Sequence, residues 1–317
     1  MPRPQRSNDL AISDTLAAVR RPQLAAWAPV VFVLLWSTGF IGAKFGLPYA
    51  EPFTLLLLRF GLAATLLLGL ALALRAPWPR SPLKVLHVVV AGLLLHAVYI
   101  GGVFEAIRLG MPAGVTSLVV GLQPILTAIV AQLLLRERVA ARQWLGLLLG
   151  FAGVGLVVGE KLLAGDAAHP LSAAGMLVAC VALLGTTAGT LYQRRFCTDV
   201  SLTSGSAIQY LATSAVMLVL ALSLESMRVQ WSATLVATVL WLVLALSLGA
   251  ILLLFWLIRQ NAASRVASLF YLVPPLTAIE AFVLFNERLG ALALAGMGLA
   301  VLGVALVLAP ARSRAAR

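Results

Sequence analysis

Along most of the chain, runs of about twenty apolar residues are closed by a charged residue or by proline and glycine, and then begin again. A bilayer core about 30 Å thick needs about 20 apolar residues per helical crossing. The runs are continuously apolar rather than alternating, which selects helices over a barrel. Reading between the punctuation predicts ten spans, at 27–47, 53–74, 83–104, 112–135, 144–159, 171–192, 202–224, 234–257, 266–285 and 290–309. The expected fold class is an all-α polytopic membrane protein. Every connection is brief, so no soluble domain is expected outside the membrane.

Composition agrees: 62% of the 317 residues are hydrophobic and 11% are charged, with a mean hydropathy of +1.02. Such a chain has lipid, not water, as its main solvent. The net charge of +12 is scattered singly or in pairs between apolar runs, which speaks against nucleic acid as a partner and for topology. With the N-terminus inside, alternate segments from Arg3 to Arg317 hold 17 of the 23 Lys and Arg residues. The opposite side holds only Arg108, Lys161, Arg228 and Arg288. By the positive-inside rule both termini are expected in the cytoplasm, which needs an even number of spans. Trp27 to Leu47 is too long for the apolar core of a signal peptide and carries Lys44, so no cleavage is expected there. The two cysteines, Cys180 and Cys197, make no disulfide framework.

An internal repeat divides the chain. At an offset of 150, Pro124 meets Pro274, Thr127 to Ile129 meets Thr277 to Ile279, and the pair Glu137, Arg138 meets Glu287, Arg288. Gly146 then meets Gly296 and Gly153 meets Gly303. Five spans per copy is an odd number, so the second copy would enter the membrane from the opposite side. Inverted repeats allow two oppositely open states of similar energy, a device of secondary transporters. The expected organisation is a cytoplasmic tail at 1–26, five-helix repeats at 27–159 and 171–309, an extracytoplasmic linker at 160–170, and a basic cytoplasmic tail at 310–317.

Three stretches carry a family resemblance: LLWSTGFIGAKFGLPYAEP at 34–52 with LLLRF at 56–60, AGVTSLVVGLQPILTAIVAQLLLRERV at 113–139, and AASRVASLFYLVPPLTAIEAFVLFNERL at 262–289. The chain resembles the EamA family of the drug/metabolite transporter superfamily, over residues 29 to 309. The resemblance implies ten helices in two five-helix units and a bacterial plasma-membrane carrier, often an exporter of amino acids or related metabolites. It also implies a central cavity between the halves, and it names no cargo.

Ionisable groups inside a span cost several kcal/mol unless paired or hydrated, so each is a functional candidate. Lys44, Arg59 and Glu280 lie at similar depth, about 5 to 9 Å from the outer ends of their spans. Lys44 or Arg59 could attract a substrate carboxylate with Glu280 as counter-charge; Lys44 could equally snorkel to the surface, and Arg59 could pair statically with Glu280. A first span that offers Lys44 rather than a carboxylate favours an anionic or zwitterionic cargo. Trp36, Thr38, Phe40, Tyr99 and Tyr271 offer aromatic and hydroxyl groups for an amphipathic pocket, or plain core packing.

Pro124 and the pair Pro274, Pro275 lie mid-span, where a kink is expected. Freed carbonyls and Gln123 could line a cavity there, or the kinks could act as hinges. His96 is a candidate for proton coupling beside Glu280, or a packed core histidine. Glu137, Arg138, Glu287 and Arg288 read as helix-end ion pairs or gates. Glycines in the fifth and tenth spans suit close helix contact, within the chain or in a homodimer. No metal or cofactor is expected, and the motifs of intramembrane hydrolysis are absent from the sequence. A channel is the alternative to a carrier.

Overall fold

The computed structural model describes residues 22–111, 116, 119–134, 139–163, 172–261, 263–285 and 290–308. They form ten helices. The first five are α1 (Pro22–Gly46), α2 (Pro52–Ala73), α3 (Pro82–Arg108), α4 (Gln123–Leu134) and α5 (Ala141–Leu163). Then follow α6 (Ala173–Phe196), α7 (Leu202–Leu224), α8 (Ala233–Gln260), α9 (Ala263–Phe285, in segments) and α10 (Ala291–Leu308). Six are long and apolar enough to cross a membrane: α1 from Trp27, α2, α3, α6, α7 and α8. They are the first three helices of each half of the chain.

Two helices have a widened middle. Leu93–Gly101 in α3 and Leu242–Ala250 in α8 are wound as π-helix. Extra residues per turn rotate the side chains that follow, and such turns recur at functional sites. Here they carry His96 and Tyr99 on one helix and Leu246 and Ser247 on the other.

The backbone winding changes just before the prolines that the sequence marks. Pro124 is the second residue of α4, just after a turn at 121–122. Pro274 and Pro275 follow a 3₁₀ turn, Leu269–Leu272, and open the segment Val273–Phe285. In the first turn of a helix the backbone N–H has no intrahelical partner, so proline costs nothing there. The α-helical winding is interrupted just before the proline in both halves, by a turn at 121–122 in the first and by a tighter 3₁₀ stretch that keeps the chain helical in the second. The expected pairs Glu137, Arg138 and Glu287, Arg288 lie outside the described residues.

The glycines of α5 and α10 are used inside the chain. A Cβ on Gly146 would sit 2.5 Å from the Gly303 carbonyl, and one on Gly153 would sit 2.5 Å from the Gly296 carbonyl and the Ala300 nitrogen. Backbone meets backbone there, the contact that small residues permit between helices. Gly298 points away, with nothing within 4 Å of a Cβ.

Polar clamps join the connections at each end of the bundle. At one end Glu225, after α7, accepts the backbone N–H groups of Phe53 (2.6 Å) and Thr54 (2.7 Å), capping α2. Glu51 in turn accepts the N–H and hydroxyl of Ser226, both at 2.8 Å. Gln230 donates to the Tyr49 carbonyl at 2.8 Å. At the other end Lys84 pairs with Asp199 at 2.9 Å, and Arg194 donates to the carbonyls of Ile258 (2.7 Å) and Arg259 (3.1 Å). The hydrogen bond from Lys84 holds the Asp199 carboxyl below the usual carboxylate range. A depressed acid stabilises the fold above its ordinary pKa and loses that contribution as pH falls through the lowered value.

Two outcomes follow for detergent-solubilised protein. Gly153→Leu or Gly303→Leu should lower the thermal midpoint by the equivalent of about 1–3 kcal/mol or more, whereas Gly298→Ala should leave it within error; equal effects would refute the α5–α10 contact. Asp199→Asn should flatten the acid limb of a stability-against-pH profile, yet cost no more than about 1 kcal/mol at neutral pH because the pair is exposed.

Candidate functional site

The site starts from a helical stripe. Trp36, Gly39, Phe40 and Ala43 recur on α1 at spacings of three and four, so they share one face. That face meets α2, α3 and α8 around a cavity also lined by Arg59, Tyr99, Phe104 and Leu246. Trp36 and Tyr99 stack with ring centroids 6.4 Å apart and planes 11° apart, and Trp36 meets Phe270 of α9 edge-on at 5.3 Å. The volume open to a water-sized sphere is ≈ 40 Å³, room for a few waters rather than for a solute, whose pockets run to about 300 Å³ or more.

Arg59 is the charge in this cavity. It is 2% exposed. Its Nε donates to the Ser247 hydroxyl at 3.0 Å, and its guanidinium carbon lies 5.3 Å from the centre of the Phe60 ring. Tyr210 donates its hydroxyl to the Ser247 carbonyl at 3.3 Å. Among the described residues no carboxylate lies within 4.0 Å of Arg59. A buried cation without a counter-charge is costly, and its terminal amino groups are the natural place for an incoming anion. A guanidinium fork matches a carboxylate in shape and charge.

The other sequence candidates separate. Glu280 does not pair with Arg59: its Oε1 accepts from Ser37 at 2.5 Å on another face of α1, and its Oε2 is buried without a partner among the described residues. Lys44 is exposed in the last turn of α1 and does not line the cavity. Thr38 accepts from the Trp241 indole at 2.9 Å and faces an apolar groove of ≈ 430 Å³ along α1 and α8, outside the cavity. Tyr271 is buried against Gly150 of α5. Gln123 is buried and donates to Thr190 of α6 at 3.3 Å. Depth along a helix axis, which the sequence supplies, does not fix direction around it.

His96 is fully buried, and neither ring nitrogen has a hydrogen-bond partner among the described residues. It stacks on Tyr210 at 4.6 Å and lies 5.9 Å from Phe60 and 6.3 Å from Phe255. These four rings form a layer beneath Arg59. Sequence reasoning passed over Ser247 and Tyr210. The available signal was a lone hydroxyl in an otherwise apolar run, which is weak until the π-turn aims it.

A sequence model of the EamA-like transporter family matches residues 24–159 and again residues 173–309. Among similar proteins, an uncharacterized transporter of Bacillus subtilis (strain 168) is 29% identical, with 87% of this chain and 88% of that protein covered. A "Probable amino-acid metabolite efflux pump" of Escherichia coli (strain K12) is 26% identical over 87% of this chain and 91% of its own length. A "Probable terminal-alkyne amino-acid exporter" of Streptantibioticus cattleyicolor is also 26% identical, over 89% and 93%. A crystal structure 22% identical in sequence superposes with a TM-score of 0.74, covering 89% of this chain and 96% of the other. That last likeness shows the fold.

The Ser247 contact can be weighed directly. Ser247→Ala should destabilise the detergent-solubilised protein by about 1.5–3 kcal/mol, the range for a hydrogen bond to a charged group, read as a lowered thermal midpoint. An unchanged midpoint would mean that Arg59 needs no support from α8.

Proposed function

The chain belongs to the EamA-like transporter family, and from that premise we propose that it exports small zwitterionic or anionic metabolites of the amino-acid type across the bacterial plasma membrane. The observation that carries the reading is Arg59: a buried guanidinium without a carboxylate among the described residues, walled by Trp36, Phe40 and Tyr99. A substrate carboxylate supplies the missing counter-charge, and the aromatic walls suit an apolar side chain. Two relatives named as amino-acid exporters support the substrate class.

In this reading the ten helices are all transmembrane and form two inverted five-helix halves, at 27–159 and 171–309, with both termini cytoplasmic. The clamps support inversion. The α1–α2 connection meets the α7–α8 connection at one end of the bundle, through Tyr49 and Gln230, while α2–α3 meets α6–α7 at the other, through Lys84 and Asp199. Equivalent connections of the two halves thus lie at opposite ends. The charge bias puts the Tyr49 end outside. Transport proceeds by alternating access, with the breaks before Pro124 and before Pro274, Pro275 as the places where α4 and α9 hinge. Glu280 is the candidate for proton coupling. Its Oε2 can take a proton without giving up a hydrogen bond, and Ser37 links it to the helix whose adjacent face lines the cavity.

The test is flux of L-leucine in proteoliposomes. Wild type should show saturable uptake that accelerates when unlabelled leucine is present on the far side, whereas a pore would give neither. Arg59→Gln should raise the half-saturation concentration about 10- to 100-fold, the loss of one charge-assisted contact, with leucinamide much less affected. Equal leucine transport by wild type and a folded Arg59→Gln variant would sink the assignment. Glu280→Gln should abolish the dependence of net flux on a pH gradient while leaving leucine exchange; retention of that dependence would remove Glu280 from coupling.

A further inference from the structure

A second cavity lies towards the other end of α3 and α8, where they meet α6 and α7. Gln193 of α6, Ser206 and Gln209 of α7, and Phe255 and Arg259 of α8 line it. The volume open to a water-sized sphere is ≈ 10 Å³, about one water. Three polar groups around so small a void lack a hydrogen bond of good geometry among the described residues, the Ser206 hydroxyl, the Gln209 Oε1 and the Arg259 Nε, and Gln209 also lies within reach of the His96 ring. Ser206 and Gln209 are each 1% exposed. Gln209 donates its amide to Gln193 Oε1 at 2.9 Å, which turns its own oxygen away from that contact. A buried polar atom left unpaired costs about 1–3 kcal/mol. A single water would fit the void and partner these groups, and so would one polar group of a larger ligand.

The donor set has a direction. Arg259 offers an N–H and a positive charge, and no carboxylate lies within 4.0 Å of it among the described residues. The nearby Asp199 is held by Lys84, and Arg194 is spent on the carbonyls that end α8. Ser206 and Gln209 offer acceptors. A cationic donor for a carboxylate beside two neutral acceptors fits a zwitterion, with its carboxylate on Arg259 and its ammonium on Ser206 and Gln209. Phe255 gives an apolar wall and joins the cavity to the first one. It faces His96, which stacks on Tyr210, which bonds the Ser247 that holds Arg59.

We propose that this second cavity is a cytoplasmic substrate site for a zwitterion of the amino-acid class, separated from the Arg59 site by the ring layer of Phe60, His96, Tyr210 and Phe255. The proposal rests on the export reading for its sidedness. The two arginines are then successive stations for one carboxylate, and the rings are the partition that must part between them. In the conformation described, both cavities are contracted.

Cys197 lines the cavity and is 1% exposed, so it serves as a reporter that needs no transport assay. In a Cys180→Ala background in lipid nanodiscs, L-leucine should slow N-ethylmaleimide labelling of Cys197. 4-Methylpentanoate, which lacks the ammonium, should protect at least tenfold less well. Arg259→Gln should raise the protecting leucine concentration at least tenfold, Ser206→Ala about three- to tenfold, and Arg259→Lys should restore part of the loss. Gly298→Ala, away from both cavities, should leave protection within about twofold. Should Arg259→Gln not yield folded protein, Ser206→Ala decides. Labelling indifferent to leucine, or protection that survives both Arg259→Gln and Ser206→Ala, overturns the site. Leucine that protects Cys197 in wild type but is not transported would count against the export reading and leave this binding site standing.

Discussion

A guanidinium in a lipid-embedded bundle must be held, because the surroundings can neither hydrate it nor ignore it. Arg59 is held by the Ser247 hydroxyl, which Tyr210 flanks, and by the face of the Phe60 ring. Those groups come from α2, α7 and α8, so the charge ties helices from both halves of the chain to one point. The π-wound middles of α3 and α8 follow from this demand. A regular α-helix spaces its side chains at about 100°, and the widened turns are what bring Tyr99 beside Trp36 and Ser247 beneath Arg59. Removing the charge would relieve the bundle of a cost. Its retention in a buried cavity is the argument that it meets a ligand.

Around that point the scaffold is built from two unlike contacts. α5 and α10 touch backbone to backbone through glycines, a contact that gains from dispersion and tolerates no added methyl. The ends are tied by carboxylate caps and exposed ion pairs, each worth little alone. Firm packing at the side and weak ties at the ends suit a molecule whose ends must open in turn.

The sequence carries the spans well, because lipid imposes one length on every crossing helix: α2, α3, α6, α7 and α8 begin or end within a few residues of the apolar runs. It carries the cavity partly. Trp36 and Phe40 share a face by their spacing of four, and Thr38 falls about 200° from Trp36 on the same wheel, so the exclusion of Thr38 from the cavity was available in the pattern. The fate of Glu280 was not. Its depth matched that of Arg59, but the azimuth of α9 depends on a break before Pro274 that reads as a kink in one dimension. Ser247, Tyr210 and the orphaned groups near Arg259 were hidden for a related reason. Ser247 is one polar residue in an apolar run, whereas Ser206, Gln209 and Tyr210 stand among several polar residues at 203–214, and only the packing of the helices tells them apart.

The proposed path has a further consequence for energetics. With an arginine lacking a close carboxylate at each station, the empty carrier bears an unpaired positive charge in a low-dielectric site, and the loaded one has it paired with the substrate carboxylate. Moving the partition with a bound zwitterion is then easier than moving it empty, since the carboxylate screens the charge that would otherwise face the rings. A carrier of this kind exchanges faster than it delivers net flux, unless a second charge changes state when the site empties. Glu280, hydrogen-bonded to the helix that carries Trp36, is placed to be that charge. For export, Glu280 must take up a proton as substrate leaves and give it up as the next one binds, so that protons move inward as substrate moves out.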